Sequence, residues 1–174
     1  MNYLYDMTDR FKKIKTFIFD VDGVLTDGSV NALASGEMYR TFNIRDGYGI
    51  ERAIKSGYNV AILSAGNQDG VRKRLQFLGI KDIFMGGPTD HKLDVYLGYI
   101  KRDNLIESEM LYMGDDLPDY HILSRPDLMS TCPADAADEI QSVCKYISPK
   151  TGGHGAVRDV IEQVMRAQGT WIIP

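Results

Sequence analysis

Short apolar runs rich in β-branched and aromatic side chains recur along the chain, at Thr16–Phe19, Asn59–Leu63, Ile83–Met85, Met110–Met113 and Leu128–Thr131, with a weaker one at Tyr146–Ile147. Each is nearly continuous in hydrophobicity rather than alternating, which is the pattern of strands buried on both faces. Between them, apolar positions recur every three to four residues and predict helices over Gly49–Lys55, Gln68–Leu78, Leu93–Arg102, Leu117–Leu123, Ala134–Val143 and Ala156–Gln168. This alternation predicts an α/β fold: a doubly wound, Rossmann-like parallel sheet with helices on both faces.

One segment departs from that rhythm. Between Thr26 and Asn43 two mildly alternating runs flank a turn at Ala34-Ser35-Gly36, predicting a β-hairpin that projects from the main sheet. The hairpin and one helix consume the stretch between Asp20 and Ser64, so no further domain fits there. With no internal repeat or linker, residues 1–174 read as a single domain ending in a short apolar tail, Thr170–Pro174.

Composition narrows the function classes. The chain has 174 residues, of which 44% are hydrophobic and 25% charged, enough for one continuous core. A net charge of −4 without a basic tract argues against nucleic acid as a partner. No window approaches the ~18 apolar residues of a membrane span, and the first residues lack a signal-peptide apolar region, so a cytoplasmic protein is expected. Cys132 and Cys144 are too few for a disulfide framework and are expected to be reduced.

Four segments carry candidate chemistry, each just beyond an expected strand. Phe19-Asp20-Val21-Asp22-Gly23 sets two carboxylates past the first strand, at the end of an open α/β sheet where ligands bind. Two such acids repel one another and lose hydration, a cost that a divalent cation offsets, and an all-oxygen ligand set suits magnesium. Gly114-Asp115-Asp116-Leu117-Pro118-Asp119 provides a second acidic strand end, in which Asp116 or Asp119 could instead cap the next helix. Ser64-Ala65-Gly66-Asn67 supplies a hydroxyl and small residues before a helix, which form either a phosphate seat or a routine cap. Lys92 falls in a helix's first turn, where it opposes the dipole unless it has a partner or is merely solvated. A nucleophile, a metal and donors for phosphate oxygens are the parts that a phosphoryl-transfer site requires.

This set resembles the haloacid dehalogenase superfamily of aspartate-nucleophile phosphatases over nearly the whole chain. The resemblance implies Asp20 as nucleophile, Asp22 as general acid and base, and Ser64, Ala65 and Lys92 as the phosphate-binding group. It further implies a Mg2+ cofactor held by Asp20, Asp115 and the backbone carbonyl of Asp22, with Asp116 and Asp119 supporting the metal shell. The absence of a cap resembles the superfamily's small branch of homotetramers, in which a neighbouring subunit covers each site. Within it, Asp20–Gly28, Phe42-Asn-Ile-Arg-Asp-Gly-Tyr-Gly49 and Gly152-Gly-His-Gly-Ala-Val-Arg158 are similar to phosphatases of an eight-carbon sugar acid phosphate used in lipopolysaccharide precursor synthesis. Such a small-molecule substrate carries a carboxylate, and Arg45 and Arg158 have the forked donors to grip it, Arg158 plausibly in a neighbour's site. Either arginine could also serve only locally, Arg45 by pairing with Asp46. Relatives of that kind read Thr-Gly-Arg after the second strand where this chain has Ser64-Ala65-Gly66-Asn67, so Asn67 stands at a substrate-facing position and nine-carbon ketodeoxy or N-acylneuraminate substrates are the alternative. Two readings from other classes are a receiver-like signalling domain and a non-catalytic tetramerising module.

Overall fold

In a computed structural model of the chain, which describes residues 3–172, six parallel strands form one sheet. They are β1 (Thr16–Phe19), β4 (Asn59–Ser64), β5 (Asp82–Met85), β6 (Met110–Met113), β7 (Met129–Cys132) and β8 (Tyr146–Ile147), in the order β5-β4-β1-β6-β7-β8. The chain winds outward from β1 through β4 to β5, then crosses back to β6 and winds the other way. The reversal opens a crevice at the carboxyl end of β1, between β4 and β6.

Side-chain alternation along the buried strands divides the core in two. Phe17, Phe19, Leu111 and Met113 face one side, packed by α1 (Tyr3–Phe11), α2 (Ile44–Lys55), α3 (Asp69–Phe77) and α7 (Ala156–Ala167). Ile18, Met110 and Tyr112 face the other, packed by α4 (Lys92–Asp103), α5 (Tyr120–Leu123) and α6 (Asp138–Val143). Both layers are closed to solvent, with Phe17, Phe19, Leu111 and Tyr112 fully buried. Cys132 and Cys144 are free thiols. Among the described residues, no helix is long and apolar enough to cross a membrane.

The hairpin is present and shorter than expected: β2 (Asn31–Ala32) pairs antiparallel with β3 (Met38–Tyr39) and with no strand of the main sheet. Its turn closes through Gly36 N–H to the Leu33 carbonyl at 2.9 Å.

Several element boundaries differ from the sequence expectation for local reasons. Helix α1 was not expected from the sequence. Helix α2 begins at Ile44 rather than Gly49, because the Asn43 side chain accepts the Arg45 N–H and caps it. The expected helix Leu117–Leu123 opens as a 3-10 turn, Leu117–Asp119, before the single turn of α5. The expected helix Ala134–Val143 is regular only from Asp138, since Ala134 N–H is drawn to the Lys150 carbonyl and Ala137 N–H to that of Asp115. Of the apolar tail, Thr170–Ile172 follow α7 without regular structure, and residues 173–174 lie outside the described residues.

Candidate active site

Strand register brings the acids together. Phe19 lies level with Ile62 of β4 and Met113 of β6, and Asp20 extends the ladder by donating its N–H to the Met113 carbonyl at 3.1 Å. Asp20 therefore emerges between the loops that begin at Ser64 and Gly114. Gly23, at φ 75°, turns the first loop back across the sheet end, and a Cβ there would stand 1.9 Å from an Asp115 carboxylate oxygen. Only glycine allows the two acidic loops to meet so closely. Asp20, Asp22, Ser64, Ala65, Lys92, Asp115, Asp116 and Asp119 line one cleft of about 280 Å³.

The charges in that cleft are closely spaced and poorly hydrated. Carboxylate oxygens of Asp20, Asp115 and Asp119 lie within 4.8 Å of one another. Lys92, buried at the start of α4, donates from Nζ to Asp20 Oδ2 at 2.6 Å and to Asp119 Oδ1 at 2.7 Å. Tyr112 donates its hydroxyl to the same Asp119 oxygen at 2.5 Å, whereas Asp119 Oδ2 is buried without a partner among the described residues. Burial, and then the charge of Asp119, push the Asp20 carboxyl up to about 7 despite Lys92 and the Val21 N–H that Asp20 Oδ1 accepts. Burial, and then Asp20 and Asp119, push Asp115 up to about 8. Burial lowers Lys92, yet the attraction of Asp20 and Asp119 outweighs it and leaves the ammonium above its ordinary range.

Three carboxylates against one lysine, with one oxygen unpartnered, fit a hard divalent cation of the magnesium type. Asp20 and Asp115 are the side chains best placed to hold it. Asp119 is committed to Lys92 and Tyr112 through one oxygen and keeps the other. Asp116 takes the capping role, with Oδ1 accepting the Leu117 N–H at 2.8 Å, although the residue still borders the cleft.

No protein-family model matches the chain. The 3-deoxy-D-manno-octulosonate 8-phosphate phosphatase KdsC of Escherichia coli K12 is 34% identical over 164 residues, covering 94% of this chain and 86% of the relative. A solved structure of a haloacid dehalogenase superfamily (subfamily III A) hydrolase from Legionella pneumophila matches at a TM-score of 0.91 and 30% identity, over 96% of this chain and 90% of that one. The chain belongs to the 3-deoxy-D-manno-octulosonate 8-phosphate phosphatase family of the haloacid dehalogenase superfamily. The Moraxella catarrhalis phosphatase of this family, solved with magnesium, phosphate and its eight-carbon sugar acid, matches at a TM-score of 0.90 and 33% identity, over 95% of this chain and 94% of that one.

Within this octulosonate phosphatase fold the remaining expected site residues divide into two groups. Ser64 and Ala65 border the cleft, with the Ser64 hydroxyl accepting the Gly66 N–H at 3.2 Å. Asn67 does not border it and packs on Gly86, where a Cβ would lie 3.2 Å from the Asn67 amide carbon. Arg45 and Arg158 are also absent from the cleft of their own chain. They line a separate pocket of about 540 Å³ with Lys150, His154 and Arg166. There Arg158 donates to Glu162 and lies over the Trp171 ring at 4.6 Å, which holds its fork inside the basic pocket.

Residues 42–49 and 152–158 do not line the cleft; the second segment packs against the loop that does, and the first holds the second. Gly152 packs so closely on the loop after β1 that a Cβ would stand 1.9 Å from the Gly23 carbonyl oxygen. Gly153 N–H donates to the Val24 carbonyl at 3.0 Å. Asp46, fully buried, accepts the N–H groups of Gly155 and Arg158 at 3.1 and 2.7 Å and so locks the loop, rather than pairing with Arg45.

Sequence reasoning overlooked two residues in contact with the acids. Tyr112 reads as one more core residue of β6, and its hydroxyl is betrayed only by the acid seven positions on. Arg40 reads as a solvated hairpin charge, yet it forms a two-pronged pair with Asp22, Nε to Oδ1 at 2.9 Å and Nη2 to Oδ2 at 3.0 Å. No local signal announces that contact.

Proposed function

We propose that residues 1–174 form one Mg2+-dependent phosphomonoester hydrolase domain that cleaves 3-deoxy-D-manno-octulosonate 8-phosphate, a lipopolysaccharide precursor, through an aspartyl-phosphate on Asp20. The observation that carries the reading is the convergence of Asp20, Asp22, Ser64, Lys92, Asp115 and Asp119 on one cleft at the crossover of the sheet. The names of the relatives at 33–34% identity supply the substrate.

The chain's own residues account for both halves of the cycle. An Asp20 oxygen attacks phosphorus in line with the ester oxygen, and the bond from phosphorus to that oxygen breaks as Asp22 gives it a proton. Water then attacks the phosphorus, Asp22 takes its proton, and the bond to Asp20 breaks to release phosphate. Lys92 and the Ser64 hydroxyl hold phosphoryl oxygens while charge moves between them. A bound Mg2+ would supply further neutralisation of the phosphoryl group at Asp20 and Asp115, with the Asp22 carbonyl as a third ligand and Asp116 and Asp119 behind them. An adjoining pocket of about 400 Å³ shares Ser64, Ala65 and Lys92 with the cleft and offers room for the sugar acid chain.

The same reading makes the protein a cytoplasmic homotetramer in which neighbours complete each site. Val30, Leu33, Met38 and Tyr39 of the hairpin are each about half exposed, an apolar surface suited to a second subunit. Arg158, and with it Arg45, then binds the sugar acid carboxylate of a neighbour's site. Deleting residues 27–42 should lower the sedimenting mass to that of a smaller assembly; an unchanged mass rejects the hairpin interface.

The position of Asn67 favours a second substrate. It packs on Gly86 and brings no guanidinium to the cleft, so a nine-carbon sugar acid 9-phosphate is the alternative. Pockets that differ by one methylene or hydroxyl discriminate by only ~1–3 kcal/mol. Phosphate release from both esters with Mg2+ decides the matter. A higher kcat/KM on the eight-carbon ester supports the first reading, a higher value on the nine-carbon ester the second, and a single labile phosphorylation without turnover overturns both.

A further inference from the structure

Arg40 follows β3 directly and belongs to the most exposed segment of the described chain, yet its side chain is only 6% exposed. Its fork meets the Asp22 carboxylate side-on, with Nε and Nη2 each taking one oxygen. Three features set this contact apart from an ordinary surface ion pair. The hairpin shares no strand pairing with the main sheet, so the Arg40–Asp22 pair ties it directly to the cleft. The outer nitrogen, Nη1, is buried without an acceptor among the described residues, an arrangement that costs stability and that stability alone therefore does not explain. Finally, the held carboxylate is aimed: Asp22 Oδ2 lies over the phosphate-side turn, 3.8 Å from where a Cβ on Gly66 would be, with Ser64 Oγ on the same side at 3.5 Å.

An unrestrained aspartate at the rim of a cleft turns freely about two side-chain torsions. A guanidinium fork fixes both oxygens in one plane and removes that freedom. We infer that Arg40 is a positioning residue for the acid/base carboxyl of Asp22, holding it toward the ester oxygen and the attacking water, so that acid/base catalysis depends on the hairpin being docked. This rests on the function proposed above. Arg40 itself gains and loses no proton. In the first half-reaction Asp22 passes one to the ester oxygen as the phosphorus–oxygen bond breaks, and in the second it takes one from water.

The test exploits leaving-group chemistry. A sugar alkoxide needs a proton as it departs, whereas p-nitrophenolate does not, so a misplaced acid harms the first ester and spares the second. For Arg40→Met, kcat/KM on the eight-carbon sugar acid phosphate should fall by roughly 100-fold and on p-nitrophenyl phosphate by less than about threefold, with Asp22→Asn showing the same selective loss. Arg40→Lys, which keeps a charge but not the fork, should recover about tenfold of the loss. Equal losses on the two esters in a folded variant, or no loss on either, overturn the proposal. If Arg40→Met fails to fold, the same comparison on Arg40→Lys decides. Wild-type protein inert on both esters with Mg2+ overturns the underlying function and this inference together, a result distinct from a wild type that turns over and a variant whose loss ignores the leaving group.

Discussion

The acidic cleft and the basic pocket beside α7 are both crowded with charge, and they are balanced in opposite ways. Five aspartates line the cleft; Lys92 spans Asp20 and Asp119 and Arg40 pairs with Asp22, which leaves Asp115 without a cation. In the basic pocket Arg158 and Arg166 share Glu162, and both guanidinium groups lie near the Trp171 ring. The first region is left with excess like charge that a ligand cation and a phosphoryl group would relieve. In the second, Arg158 and Arg166 are already paired through Glu162, so a ligand that takes Arg158 competes with that carboxylate, whereas Arg45 and Lys150 have no ion pair among the described residues. Chemistry is expected at the acidic site, and any part played by the basic one is expected to be recognition.

Removing the group at the centre of the unbalanced site should have the largest effect. Asp20→Asn keeps the shape and hydrogen-bonding of the side chain but not its nucleophilicity, and turnover should drop by roughly 10⁴-fold or more. Its circular dichroism should match the wild type. Activity within tenfold of wild type refutes Asp20 as the nucleophile. Lys92→Met comes next, because it deletes the one cation that the buried acids share. Leaving Asp20 and Asp119 unpaired should cost about 3–5 kcal/mol of metal-free stability in urea melts, and activity should fall by about 10²–10³-fold. A variant as stable as the wild type would mean that the cleft is not electrostatically strained.

The same strain fixes a pH dependence. The carboxyls of Asp20 and Asp115 rise from 3.8 to about 7 and about 8, so the folded protein holds protons that the unfolded chain releases between those values. Their contribution is therefore fully present below about pH 4 and declines as pH rises toward about 8. Mg2+ binds the ionised acids and should reverse that loss. A hundredfold excess over Kd is worth about 2.7 kcal/mol, roughly 5–11 °C in melting temperature, and the shift should be larger near pH 8.5 than near pH 6. An Mg2+-induced shift that is equal at the two pH values contradicts the assignment of these carboxyls to the metal.

Much of the unbalanced site was legible in the sequence because it depends on strand ends. β1, β4 and β6 are buried on both faces and read as continuous apolar runs, so Ser64 at the end of β4, and Asp20 and Asp115 just beyond β1 and β6, could be placed by position. Lys92 reads in isolation as a solvated side chain and joins them only through the order of the four segments and the family resemblance. The remaining contacts depend on tertiary geometry. Arg40 reaches Asp22 because a hairpin folds back over 18 residues, and Tyr112 reaches Asp119 because β6 turns that side chain toward the face carrying α4. Helix limits were missed where a side chain overrode periodicity, as Asn43 does at the start of α2. Placing Arg45 and Arg158 by charge type alone could not show that Glu162 and Trp171 would hold the Arg158 fork beside α7.

The basic pocket gives the smallest expected effect and the sharpest comparison. Arg158 can serve a neighbour's site only by giving up part of its contact with Glu162, so its net contribution to binding should be modest. Arg158→Ala should raise KM for the sugar acid phosphate by about tenfold, close to 1.4 kcal/mol, and leave kcat nearly unchanged, as expected for uniform binding of substrate and transition state. On p-nitrophenyl phosphate, which has no carboxylate, KM should move by less than about twofold. Equal shifts on the two esters would confine Arg158 to its own chain, where Glu162 and the Trp171 ring already account for its position. Specificity would then rest on the residues bordering the cleft.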